Sequence, residues 1–361
     1  MLALIRKSLT GKGGALRLAA VVAAPAAVAA AFVATAGWLS PDRLTPATFM
    51  RDFHAVDGAH PGFRRNHAKG VCVSGWFDGS GAATPLSRAA LFGKERSQVV
   101  GRFALAGGAP NQPDAPGKVR SMALQLIPTN GAEWRMGIND IPVFLVRNAA
   151  DFSDFTLATA PVPGTGKPDP ARMSAFLDKH PETKNALGLL KARALTSGFA
   201  NDTYNSLDAF LFVNAEGVAT PVRWAMVPEQ TVEPPAAGEG GQDYLFDDLL
   251  KALAQGQLRW RLMVTVGEPG DPTADPTAAW PEQRRKIDAG TLTLTKAESE
   301  DGGPCTGITF DPLILPEGVA PSDDPIPAAR SAVYSRSFTL RSGETKPPSE
   351  ITPAAVRSGG Q

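Results

Sequence analysis

From residue 258 to 266 the apolar side chains of Trp260, Leu262, Val264 and Val266 recur at every second position, with Arg261, Met263 and Thr265 between them. A period of two puts all four on one face of a strand, so the segment needs one covered side. Strand-like runs recur at 71–77, 99–105, 119–127, 133–138, 209–213, 221–227, 286–294 and 307–310. Most are joined locally. Asn130-Gly131 is a strong hairpin signal, and a turn over 214–217 closes a second hairpin. Eight or nine such strands, in a chain with 36 Gly and 32 Pro to turn it, predict an antiparallel barrel or sandwich. Apolar residues at 43% supply the interior and exclude wholesale disorder.

Helical pattern interrupts the strands at 171–179, at 182–195 after Pro181, and at 244–254. In the last of these Leu245, Phe246, Leu249, Leu250 and Leu253 form a stripe at helical spacing. Residues 37–63 read as an extended arm leading into the fold, and the polar stretch 342–361 is expected to be disordered. The formal charge is zero and no Lys/Arg-rich patch follows residue 40, which argues against a nucleic-acid partner.

The first 40 residues differ from the rest. They hold Arg6, Lys7, Lys12 and Arg17 and no acid, and Leu18 to Ala36 is uncharged and Ala/Val-rich with Pro25 inside. A basic start, an apolar run and Ala34-Thr35-Ala36 as a small-residue site read as a signal peptide over 1–36. The stretch is also about long enough for a membrane anchor, which would associate the chain with the inner membrane through residues 18–36. Both readings place the body of the chain, 37–341, outside the cytoplasm, in the periplasm. Two cysteines, Cys72 and Cys305, allow one bridge in an exported protein, and the sequence leaves open whether it forms. No CxxC or CxxCH occurs, so a zinc knuckle and a covalently attached c-type haem are excluded.

Residues able to bind metal or move protons are few: four His and three Tyr. His67 lies in Arg64-Arg65-Asn66-His67-Ala68-Lys69-Gly70, where small neighbours leave room for a flat ligand over the imidazole. Tyr334 follows Arg330 by four residues in a helix-compatible run, so guanidinium and phenol share a face. A fixed positive charge within hydrogen-bond reach favours phenolate, a known haem-iron ligand.

In this setting the chain resembles the catalase superfamily, and most of all its short catalase-related peroxidases. The resemblance is carried by Arg64 with His67-Ala68-Lys69-Gly70, Val100-Gly101-Arg102-Phe103, Arg120 to Leu126, and Asn139-Asp140-Ile141-Pro142-Val143-Phe144. It continues through Phe152 and Phe155, Phe310-Asp311-Pro312 with Pro316 to Pro321, and the Arg330/Tyr334 pair. It covers about residues 49 to 341. It implies an α+β, mainly β fold: an eight-stranded antiparallel β-barrel of catalase type with helical insertions and a C-terminal haem-ligand helix. It further implies heme b between the barrel interior and that helix, with Tyr334 on the iron and Arg330 keeping it ionised. His67 and Asn139 would be the distal catalytic pair, Phe152 would pack on the porphyrin, and Arg64 and Arg102 would pair with its propionates. Phe155 falls in the same aromatic region.

Departures from the family pattern shape the expected activity. Ala104 stands where catalases have a serine that hydrogen-bonds the distal imidazole, which should loosen control of the ring. Asn66 replaces an apolar residue and adds a polar group beside the oxygen-binding site. Long catalases continue far past the proximal tyrosine, so a less enclosed site is expected here. The expected function is a haem-dependent peroxidase that reduces organic hydroperoxides, with hydrogen peroxide as a further substrate, using an external electron donor. The alternatives are a catalase-fold hydroperoxide isomerase and a non-enzymatic secreted barrel that binds an apolar ligand.

Overall fold

The computed structural model describes residues 14–35, 44–234 and 241–353. The chain divides before Pro46 into two compact units. Of the first, a helix over Gly14–Thr35 is described, with Pro25 inside it. Among the described residues no helix is long and apolar enough to cross a membrane. Arg6, Lys7, Lys12 and Ala36, on which the signal-peptide reading partly rests, lie outside the described residues.

The second unit is built on one antiparallel sheet that closes on itself. Its strands are β1 (Gly70–Gly79), β2 (Arg96–Leu105), β3 (Arg120–Ile127), β4 (Trp134–Asn139) and β5 (Tyr204–Asn205). They continue as β6 (Phe210–Val213), β7 (Ala219–Pro228), β8 (Leu258–Val266), β9 (Lys286–Glu298) and β10 (Val319–Pro321). β5 and β6 lie along the same edge of β7, Tyr204 opposite Met226 and Phe210 opposite Val222, so together they fill one place in the ring. Pairing of β7 with β8, and of β9 with β1, closes a barrel of eight such places. Closure leaves no free edge in the ring. β10 is added outside it, against β6.

Alternation fills the interior. In β8 every second residue from Leu258 to Val266 is buried, the face expected from sequence. Trp260 meets Phe103, with ring centroids 5.9 Å apart, and Trp134 meets Trp224 at 4.8 Å. Each such fully buried large apolar side chain contributes about 2–3 kcal/mol of transfer free energy. The barrel interior is a packed core of these side chains.

Three expectations are corrected. The arm over 37–63 is not extended throughout: Pro46–Asp57 is a helix, because Phe49, Met50 and Phe53 form a buried stripe at helical spacing. Residues 307–310 form no strand, since the carbonyls of Cys305, Thr306, Ile308 and Thr309 go to arginine side chains instead of a ladder. The tail is ordered as far as 353: Glu344 accepts from the Gly62 N–H at 2.7 Å, Lys346 pairs with Asp301, and Ile351 is buried. Residues 354–361 lie outside the described residues. A further helix, Ala149–Ala158, is started by Asn148, whose side-chain oxygen accepts from the N–H groups of Ala150 and Asp151.

Candidate active site

Strand parity decides where the site lies. Phe103, Met122, Leu124, Trp134, Met136 and Ile138 point into the barrel core. Arg102, Ala104, Ser121, Ala123, Gly137 and Asn139 alternate with them, on the outer face of β2, β3 and β4. All six line a cavity of about 260 Å³. The site therefore lies between the outer wall of the barrel and the helices: the expected place beside the C-terminal helix holds, and the barrel-interior side of that expectation is corrected. The cover comes from the helices Pro46–Asp57, Ala149–Ala158 and Ile326–Ser342.

Register organises this wall into two rows. Ala104, Ser121 and Asn139 are directly opposite one another on successive strands, as are Arg102, Ala123 and Gly137. Two residues along a strand separate the rows, about 7 Å. Ser121 of the first row meets His67, and Gly137 of the second meets Arg330 and Tyr334.

Tyr334 comes from the helix Ile326–Ser342, whose first N–H, that of Ile326, is accepted by Asp324 Oδ1 at 2.9 Å. Arg330, one turn before Tyr334, donates from Nη2 to the phenolic oxygen at 3.2 Å and to the Gly137 carbonyl at 2.6 Å. Its Nη1 donates to buried Asp208 at 2.7 Å. Burial works against the Arg330 charge, but Tyr334 and Asp208 outweigh it and hold the guanidinium well above its ordinary range. A Cβ on Gly137 would lie 3.0 Å from Arg330 Nη2 and 3.6 Å from the Tyr334 oxygen, so a side chain would crowd the guanidinium where it approaches β4.

His67 precedes β1 with a positive φ of 56°, a conformation an L-residue adopts only when its surroundings hold it there. Asn66 supplies that hold. Its side-chain oxygen accepts from the N–H of His67 at 2.8 Å and of Gly107 at 2.9 Å, and Ala68 donates to the Gly107 carbonyl at 2.9 Å. The Asn66 oxygen is thus engaged by backbone, and the residue lines the cavity beside His67, the place expected for it. Burial first, then Arg102, Arg330 and Arg64, push the His67 imidazole down to about 3, so the ring is neutral at ordinary pH. Its Nδ1 lies 3.0 Å from the Ser121 hydroxyl, which also bonds Asn139 Oδ1. The hydroxyl absent at Ala104 is supplied from the opposite strand. Lys69 of the same motif turns away to Asp114 and Asp243.

The arginines gather at one end. Arg102 donates from Nε and Nη2 to the two carboxylate oxygens of Glu300, at 2.7 and 2.9 Å. Arg64 donates to the carbonyls of Cys305 and Ile308, and its buried Nε has no partner among the described residues within hydrogen-bond range, Glu300 being 3.8 Å away. Arg341 donates to the carbonyls of Thr306 and Ile308. Burial and then Arg102 weaken the hold of Arg64 on its proton. Burial opposes ionisation of Glu300, but Arg102, ahead of Arg64, overcomes it and keeps the carboxyl below its usual range. Three guanidiniums against one carboxylate leave a surplus of positive charge that an arriving dianion would satisfy. Arg341 was not singled out from sequence, although its position seven residues after Tyr334 puts it two turns along the same face. Ser121 and Glu300 were missed for lack of register.

Phe152 lines the cavity with Phe49, Phe53 and Phe144, its ring 5.9 to 6.2 Å from theirs. Phe155 does not join them and packs on Phe176 at 5.7 Å. One apolar slot therefore carries an oxygen donor on one side, a neutral imidazole on the other, and cations at the end. That donor set suits a flat, dianionic ring with a central metal.

Comparison with known proteins agrees. The catalase family model matches residues 34–347. A catalase-related peroxidase of Synechococcus elongatus is 36% identical over 323 residues, 89% of this chain and 95% of that protein. A second, from Mycolicibacterium paratuberculosis, is 32% identical over 306 residues, 83% of this chain and 96% of that protein. A fungal catalase structure superposes with a TM-score of 0.70 at 20% identity, covering 79% of this chain and 60% of that one. A bacterial catalase structure gives 0.69 at 22%, covering 78% and 58%. The family implies haem, and the residues fit one: the Tyr334 oxygen, the apolar cavity lined by Phe152 and Ala123, and the orphaned Arg64 Nε answer to its metal, its ring and its carboxylates. By family model, by relatives and by fold, the chain belongs to the catalase family.

Proposed function

We propose that this chain is a haem-dependent peroxidase that reduces hydroperoxides, organic ones and hydrogen peroxide alike, with electrons from an external donor. The cofactor is heme b, since no CxxCH is present to attach it covalently. The observation that carries this reading is a single cavity lined by Tyr334 and Arg330 together with His67 and Asn139.

When bound, haem supplies the redox-active iron. Tyr334 would hold that iron from one side, with Arg330 donating a hydrogen bond to the phenolic oxygen. Arg64, Arg102 and Arg341 would take the propionates. Phe152 and its aromatic neighbours cover the slot and exclude water. Neutral His67 accepts the proton of the hydroperoxide and returns it to the departing oxygen, while Asn139 donates a hydrogen bond that orients the substrate. Over the cycle one hydroperoxide takes up two electrons and two protons and leaves as an alcohol and water. The chain acts outside the cytoplasm, in the periplasm or held at the inner membrane. The basic, apolar, Ala34-Thr35-Ala36 sequence and the Cys72–Cys305 bridge support this, because disulfides persist in oxidising compartments.

Optical spectra and peroxide consumption test the assignment. Tyr334→Phe should lose or rearrange the haem spectrum. His67→Ala should keep it and lose about 10²–10⁴-fold in turnover, the usual weight of a positioned acid–base group. Full peroxide consumption by both variants would defeat the reading. Product formed without any donor would point to the isomerase instead.

A further inference from the structure

A serine hydroxyl has one proton to give and lone pairs to accept with. The Ser121 hydroxyl donates its proton to Asn139 Oδ1, so toward His67 Nδ1, 3.0 Å away, it can only accept. His67 must then carry its proton on Nδ1 and its lone pair on Nε2. Asn139, with Oδ1 engaged, has its amide N–H groups left to donate. Ser121 is 7% exposed, and the register sets it between Ala104 on one neighbouring strand and Asn139 on the other.

We infer that Ser121 is the positioning residue of this site, one hydroxyl that fixes the tautomer of His67 and the orientation of Asn139 together. The expectation from Ala104 was an imidazole without a hydroxyl partner. Instead the hydroxyl stands one strand over, on β3, where it also reaches the asparagine on β4. A hydroxyl on β2 would have β3 between it and Asn139. The peroxide-side pair is thus set as one unit: a base at Nε2, and a donor at the Asn139 amide nitrogen. The consequence for turnover rests on the peroxidase reading, whereas the tautomer rests on the geometry alone.

Nitrogen-15 spectra of histidine-labelled full chain read the tautomer directly, with the His67 signals among those of four histidines identified by their loss in His67→Gln. Wild type should show neutral His67 protonated at Nδ1, and Ser121→Ala should show a mixture of both tautomers. Loaded with haem, Ser121→Ala should keep its haem content and KM and lose about 10–100-fold in kcat, the usual cost of removing such a partner. Protonation at Nε2 in the wild type overturns the inference even if the variant does not fold. So does a variant with the tautomer and kcat of wild type. A wild type that folds, binds haem and consumes no peroxide would defeat the peroxidase reading instead, and leave the tautomer result standing.

Discussion

Gly137 illustrates how much one missing carbon organises. Its carbonyl takes Arg330 at 2.6 Å, and its absent Cβ leaves the space through which that guanidinium meets Tyr334. In Gly137→Ala the new methyl would sit 3.0 Å from Arg330 Nη2, and Asp208 and the Gly137 carbonyl leave the guanidinium little freedom to retreat. The variant should lose about 1–3 kcal/mol of stability by overpacking. It should also bind haem more weakly, which thermal unfolding and a spectrophotometric haem titration would show. Unchanged values in both would mean that Arg330 is not confined here. At this scale the sequence was readable where a motif names its residue: His67, Asn139, Arg330 and Tyr334 all line one cavity. It was silent where a role depends on pairing. Ser121 gains its place only from the offset of β3 against β2 and β4, and Glu300 only from a loop that folds back on Arg102.

That loop is held by a covalent tie. Cys72 on β1 and Cys305 are bridged across 233 residues of sequence, and the carbonyls of Cys305, Thr306 and Ile308 face Arg64 and Arg341. The bridge therefore fixes the element that aims two of the cavity's cations. Replacing both cysteines by serine should cost about 5 kcal/mol by the chain-entropy account of so long a loop, measured by urea unfolding. It should weaken haem binding as well, because both arginines lose their anchor. Equal unfolding midpoints for wild type with and without reductant would show that the tie contributes nothing. Strands were readable at this scale because alternation is a local signal, as at β8. The helix Pro46–Asp57 was not, because Phe49 and Phe53 declare a helical face only once Phe152 is there to cover it. Two-residue β5 is legible only beside β7.

Over the whole molecule, alternation tells which residues share a face but not which face becomes the interior; closure of the ring decides that. Once the large apolar side chains fill the barrel, the site must use the other wall and needs a helix to roof it. That roof begins over a buried acid pair, and this gives the molecule a testable pH response. Burial first, then repulsion from Asp208, pushes Asp324 up to about 7. The group binds its proton more tightly folded than unfolded, so the stability it confers is present at acid pH and is lost as pH rises from about 4 through about 7. Asp324→Asn keeps an oxygen for the Ile326 N–H at the start of the tyrosine helix and removes the charge. The variant should match wild type at about pH 3, where Asp324 is neutral both folded and unfolded. At pH 8.5 it should be more stable by about 2 kcal/mol, a discounted reading of a shift worth 1.4 kcal/mol per pH unit. Unfolding curves at the two pH values decide it. A variant less stable than wild type at pH 8.5 would show that the ionised carboxylate supports this helix, not that the helix tolerates it.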